Sequence, residues 1–142
     1  MADDAADPGQ ALVERGRIAR GEGRLDEAAA HYRAAAELAR RDSDWRKLAH
    51  RLRHLGEIEL EAGRADRAAL PLEEALALRR TDSEVSALEL ANTLRPLAML
   101  REALGEREAA RRLWAEARAL YAEAGIAAGV AGCDRRLTGL AS

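Results

Sequence analysis

The apolar and polar residues of the chain follow the three-to-four-residue spacing of amphipathic helices, interrupted by glycines and short polar clusters. Two of these clusters, residues 42–44 and residues 81–83, contain Asp, Ser and Thr and are expected to cap the helices that follow them. The pattern predicts seven helices, at residues 10–22, 26–40, 44–62, 65–79, 83–104, 107–124 and 126–140.

Three segments of the sequence repeat one order of residues at intervals of 40 and 42. A glycine that ends a helix is followed, after five, nine and twelve residues, by an alanine, a larger apolar residue and a second alanine. The matching sets are Gly23, Ala28, Tyr32 and Ala35; Gly63, Ala68, Leu72 and Ala75; and Gly105, Ala110, Trp114 and Ala117.

Each position of this repeat has a physical reason. Glycine adopts the left-handed conformation after a helix at the lowest cost. The alanines let two helices of a hairpin approach closely, and the larger residue one turn along offers an apolar group to the neighbouring hairpin. The pattern therefore predicts three helical hairpins.

The repeat resembles the tetratricopeptide repeat (TPR) family over roughly residues 10 to 124. Spacings of 40 and 42 exceed the usual value of about 34 residues, and are similar to the long-helix repeats of kinesin light chain and of many bacterial proteins. The resemblance implies a right-handed solenoid. We expect it to form a single domain over residues 10–142, behind a disordered tail at 1–9. Its hairpins would span residues 10–41, 44–80 and 83–124, followed by a capping helix at 126–140.

Three features depart from a regular repeat. Arg15 and Arg101 stand where apolar residues are common, and Ala98 replaces a glycine at a close-packing position. Pro71 and Pro96 fall inside predicted helices, where each removes a backbone donor and is expected to kink its helix. A complete break at either proline is the alternative.

Composition supports an all-α fold, because the chain has 34 Ala and 21 Leu but no Phe and few β-branched residues. Its net charge of -2 gives no overall attraction for nucleic acid. The single Cys133 fits a reducing compartment, and neither a signal peptide nor an apolar run long enough for a membrane is visible. We expect a soluble, cytoplasmic protein.

The sequence contains no motif for catalysis or for cofactor binding, so we expect neither an enzyme nor a cofactor. His50, His54 and Glu57 share one helix face, but further ligands are missing and arginines surround them, so no metal site is expected. Cys133 lies on an apolar stripe and is expected to be a buried structural thiol.

In the TPR family, the first helix of each hairpin lines a concave groove that binds peptides or partner helices. Carried over by position, the resemblance gives these candidate partner-binding residues: Arg17, Arg20, Arg46, His50, Arg53, Glu57, Asn92, Arg95 and Met99. Such arginines would favour an acidic peptide or a terminal carboxylate. Alternatively, they pair with Glu57, Glu61 and Glu102 on neighbouring turns.

Two functions are consistent with these observations. The first is an interaction module that binds a peptide or partner helix in an arginine-lined groove. Only Arg95 matches the carboxylate clamp of cochaperones, so chaperone tails are not the expected ligands. The second is a structural protein that associates with itself through the cap helix or the ends of the solenoid.

Overall fold

The computed structural model describes residues 7–141, and this part of the chain contains seven α-helices. The all-α prediction is therefore confirmed. Within residues 7–141, no helix is both long and apolar enough to cross a membrane. The helices are α1 (Pro8–Gly21), α2 (Leu25–Arg41), α3 (Trp45–Glu61), α4 (Ala65–Arg80), α5 (Ala87–Ala103), α6 (Arg107–Glu123) and α7 (Ala127–Leu140).

The three repeat glycines form the turns that the sequence predicts. Gly23, Gly63 and Gly105 adopt φ angles of 76–78°, so each lies in the left-handed region that glycine tolerates best. Ser43 takes a similar conformation, with φ of 55°, between α2 and α3. The turn geometry thus repeats even where glycine is absent.

The predicted start of the third hairpin is wrong. The cluster Thr81 to Ser83 does not cap a helix that begins at residue 83, because α5 begins at Ala87. Ser86 and Glu89 form a reciprocal capping box at this point, in which each side chain accepts a hydrogen bond from the other residue's backbone N–H. Asp82 instead accepts hydrogen bonds from Glu84 and Val85 in the preceding turn.

The structure corrects two further predictions, one on the prolines inside helices and one on the length of the N-terminal tail. Pro71 and Pro96 lie inside continuous helices, so a break at either proline is wrong. The predicted tail at residues 1–9 is too long, because Pro8 and Gly9 already belong to α1, where Pro8 occupies the first turn and Asp7 caps it. Residues 1–6 lie outside the described part of the chain.

The chain forms two compact units, with the boundary between Ala75 and Leu76 inside α4. In the first unit, α2 packs against α1 and α3. In the second, α6 packs against α5 and α7. The expectation of a single domain over residues 10–142 stays a prediction.

The alanines of the repeat are fully buried, as their spacing predicts. The larger residue of each set also fills a site within its own hairpin. A Cβ atom on Gly16 would come within 2.7 Å of the Tyr32 ring, and one on Gly56 within 2.3 Å of Cγ of Leu72. In the third hairpin, Ala98 and Trp114 belong to the same buried cluster. Small residues on the first helix therefore receive large residues from the second.

Candidate partner-binding site

In the first unit, candidate residues on α1 and α3 form a network of ion pairs. Nε of Arg20 donates to both carboxylate oxygens of Glu61 at 3.0 and 3.1 Å, and its Nη1 donates to Glu57 at 3.3 Å. Arg53 donates to the other oxygen of Glu57 at 2.8 Å. These two arginines are thus neutralised by carboxylates of the same unit.

Glu57 is the centre of this network. Nδ1 of His54 lies 3.2 Å from Oε1 of Glu57, on the same side as Arg20. Burial opposes ionisation of Glu57, but the hydrogen bond with His54 and the charges of Arg53 and Arg20 outweigh it and lower the pKa of this carboxyl from 4.5 to about 2. Glu57 is therefore a firmly ionised partner for the arginines.

The remaining candidates of the first unit lie around this network. Arg17 pairs with Glu14 one turn earlier on α1. His50 is exposed, and its ring packs edge-on against that of His54 with the centroids 4.5 Å apart. Arg46 is exposed in the first turn of α3.

In the second unit, α5, α6 and α7 enclose an open cavity of about 560 Å³. Two of the candidates, Asn92 and Arg95, line it from α5. The third, Met99, packs against the core instead. The other lining residues are Leu88 on α5, Trp114 and Tyr121 on α6, Ile126 in the turn, and Ala128, Gly129, Gly132, Cys133, Arg135 and Arg136 on α7.

The aromatic side chains of the cavity are buried and held by hydrogen bonds. Nε1 of Trp114 donates to Glu102 at 2.5 Å, and the hydroxyl of Tyr121 donates to Oδ1 of Asn92 at 2.6 Å. Tyr121 also packs against α7, where a Cβ atom on Gly129 would come within 2.4 Å of its ring. Asn92 therefore helps to fix the cavity wall that it lines.

The charged residues that line the cavity are all arginines. Arg136 donates to Glu102 at 3.3 Å and lies over the Trp114 ring, 5.3 Å from its centroid. Within residues 7–141, Arg95 and Arg135 form no hydrogen bond or ion pair, and both are exposed. The cavity thus has uncompensated positive charge at its opening.

Cys133 is buried in the cavity wall, as the apolar stripe predicts. Burial raises the pKa of its thiol, although the positive charge of Arg95 acts in the opposite direction. Arg95 is therefore close enough to influence the α7 side of the cavity. The raised pKa favours the neutral, unreactive thiol.

Sequence reasoning missed the contribution of α7. The resemblance assigned this helix a capping role, and its apolar stripe indicated contacts with the core rather than an exposed surface. Arg135 and Arg136 follow Cys133 and Asp134, so the sequence did contain a signal, namely two adjacent arginines close to a buried position. The side-chain positions show that α7 forms one wall of the cavity.

Comparisons with known proteins agree with this architecture. A family model described as a tetratricopeptide repeat matches residues 7–81, more than half of the 142-residue chain. The crystal structure of BtubC (BKLC) from P. vanneervenii matches with a TM-score of 0.59 and 21% sequence identity. The match covers 93% of this chain and 62% of that chain. No curated protein matches the sequence.

The family match covers the first two hairpins, and the structural match extends over nearly the whole chain. The predicted resemblance to long-helix repeats of the kinesin light chain type is confirmed. Seven successive helices, arranged as hairpins followed by α7, agree with the predicted fold class. The chain belongs to the tetratricopeptide repeat family.

Proposed function

We propose that this domain binds an acidic segment of a partner protein in the cavity between α5 and α7. Membership of the tetratricopeptide repeat family implies a protein-interaction module and is typically associated with non-catalytic proteins. The observation that carries the proposal is the opening of the cavity, where Arg95 and Arg135 lack ion-pair partners within the described residues.

Charge supports an acidic ligand. Three arginines and no Asp or Glu line the cavity, although the chain as a whole has a net charge of -2. Guanidinium groups form charge-assisted, bidentate hydrogen bonds with carboxylates. A glutamate or aspartate side chain, or a terminal carboxylate, would therefore complete the pairing of Arg95 and Arg135.

The shape and lining of the cavity support a protein segment as the ligand. Its volume of about 560 Å³ accommodates several side chains, and it opens to solvent. Trp114 and Tyr121 are held by Glu102 and Asn92 before any ligand binds. Preorganised walls reduce the entropy that a ligand must lose on binding.

The arginines of the first unit are less suited to an acidic ligand, which supports a binding site in the second unit. Arg20 and Arg53 are paired with Glu61 and Glu57, so an acidic ligand would have to displace carboxylates that are already in place. Arg95 and Arg135 require no such exchange. We therefore assign the primary binding role to the second unit and propose the cytoplasm, in which Cys133 stays reduced, as its location.

The proposal is tested with a fluorescein-labelled peptide in which glutamates alternate with alanines and leucines. Fluorescence anisotropy measures its affinity for the wild type and for Arg95→Glu and Arg135→Glu. We expect each substitution to weaken binding by about tenfold or more, because it replaces an attraction with a repulsion.

The matched control is Arg112→Glu on α6. Arg112 is also exposed, also has no ion pair within residues 7–141, and lies outside the cavity lining. This variant changes the net charge by the same amount and is expected to bind the peptide nearly as the wild type does. Equal losses in all three variants would show only a general charge effect and would contradict the proposed site.

A further inference from the structure

The outer face of α1 forms an exposed stripe outside the binding cavity. Pro8, Ala11, Arg15 and Ile18 of α1, and Glu22 directly after its last residue, follow one another at intervals of three and four residues and are all exposed. Ile18 is 55% exposed and offers the largest apolar side chain of this stripe to solvent.

The equivalent positions of the other two hairpins can be compared with Ile18. Ile18 precedes its hairpin glycine by five residues, as Ile58 and Leu100 precede theirs, yet both of those side chains are fully buried. Ile58 packs against α2 in the cluster that contains Ala28 and Tyr32. The corresponding face of α3 is thus a contact surface between helices, whereas that of α1 is uncovered.

The α1 stripe carries one positive and one negative side chain, and these can pair between two copies of the chain. Arg15 forms no hydrogen bond or ion pair within residues 7–141. Glu22 lies seven residues later on the same face, is exposed, and contacts Arg24 at 2.5 Å. If two α1 helices meet antiparallel at Ile18, Arg15 of each copy faces Glu22 of the other.

We propose that two copies of the chain associate through this face, with α1 against α1 about a twofold axis at Ile18. The contact has an apolar centre formed by the two Ile18 side chains and a pair between Arg15 and Glu22 on each side. Such an arrangement is isologous and closes at the dimer. Because one helix from each copy contributes, the interface is small and the dimer is weak and concentration-dependent.

Sedimentation equilibrium over a range of protein concentrations tests this proposal. The wild type is expected to show a reversible monomer–dimer equilibrium, and Ile18→Glu is expected to shift it to monomer. Leu70→Glu is the matched control, because Leu70 on α4 is 78% exposed but lies outside the α1 stripe. Circular dichroism verifies that each variant is folded.

A charge exchange distinguishes the proposed pairing from a general effect on folding. Arg15→Glu and Glu22→Arg each place like charges opposite each other and are expected to weaken the dimer at least several-fold. The double variant Arg15→Glu/Glu22→Arg restores opposite charges and is expected to recover it. A wild type that stays monomeric, a dimer unaffected by Ile18→Glu, or a double variant that fails to recover would each overturn the proposal.

Discussion

The carboxylate of Glu57 accepts hydrogen bonds from Arg20 and Arg53 while His54 contacts it from the same helix. Its partners come from both α1 and α3, so the group links the first helices of two successive hairpins within the first unit. A single side chain thereby stabilises the packing between repeats.

This arrangement predicts how stability responds to acid. The pKa of Glu57 is lowered from 4.5 to about 2 on folding, so its contribution is complete above pH 4.5 and is lost as the pH falls towards 2. The contribution is at most about 3 kcal/mol. Urea unfolding between these pH values should show a steeper loss of stability in the wild type than in Glu57→Gln. Parallel curves for the two proteins would contradict the role of Glu57.

Ser43, between the first and second hairpins, is strained because it adopts the left-handed conformation that glycine takes in the three hairpin turns. Its φ of 55° costs a residue with a Cβ atom about 1 kcal/mol. We therefore expect Ser43→Gly to raise the free energy of unfolding by about 0.5–1 kcal/mol, as measured in urea. The reciprocal change Gly63→Ser, at φ of 78°, should lower it. A loss of stability in Ser43→Gly would show that this serine makes a compensating interaction.

Among single residues, the sequence predicted those whose backbone conformation favours glycine. Gly23, Gly63 and Gly105 could be identified because few residues other than glycine occupy such turns. Pairing of the groove arginines with Glu57 and Glu61 was one of the two alternatives from the sequence, and Arg53 has Glu57 four residues later where Arg95 has Met99. The pair between Arg20 and Glu61, which are 41 residues apart, required the coordinates.

Between elements, stability depends on the fit of a large residue against a small one. Leu72 occupies the space beside Gly56, so Gly56→Ala forces Leu72 or its helix to move. Alanine favours the helix by about 1 kcal/mol, but overpacking costs about 1–3 kcal/mol. We expect a net loss of stability in thermal or urea unfolding.

Gly21→Ala is the control for this prediction. It also replaces a helical glycine, but no heavy atom lies within 4 Å of the added Cβ. This variant is expected to keep or increase stability. In a Leu72→Ala background the penalty for Gly56→Ala should largely disappear, and a penalty that persists there would exclude steric conflict with Leu72 as its cause.

The helix α7 aligns by position with α3 and α5, but one position that is apolar and buried in those two helices is charged in α7. Counted from the N-cap, Asp134 of α7 replaces the buried Leu52 of α3 and Leu94 of α5. Asp134 pairs with Arg118 on α6 at 2.5 Å. A polar outer face is what a capping helix requires.

The double role of α7 shows the limit of pattern reasoning at the level of elements. Its helical spacing and its capping position could be predicted, because both depend on apolar periodicity. Its contribution to the cavity had a weaker signal in the adjacent Arg135 and Arg136, because Gly129 and Gly132 carry no side chain that would indicate a binding wall. The start of α5 was also difficult to predict, because two polar clusters precede this helix. The helix begins after the second cluster, where Ser86 and Glu89 form a complete capping box.

At the scale of the whole molecule, a nearly neutral chain contains local surfaces of different character. The arginines of the first unit are largely compensated by its own glutamates, whereas the cavity of the second unit keeps uncompensated arginines. Net charge therefore says little about ligand preference here. The all-α fold could be predicted from composition and the family from the resemblance of the repeat, but the choice among the groove positions required coordinates.

Amide shift mapping by two-dimensional NMR, during titration with the glutamate-rich peptide, shows directly whether the peptide binds between α5 and α7. We expect the largest changes at Gly129, Gly132 and the indole N–H of Trp114, and smaller changes at the neighbouring amides of α5. The amides around Arg20 and Glu57 in the first unit should change little. Changes concentrated in the first unit, or spread evenly over the exposed arginines, would contradict a binding site between α5 and α7.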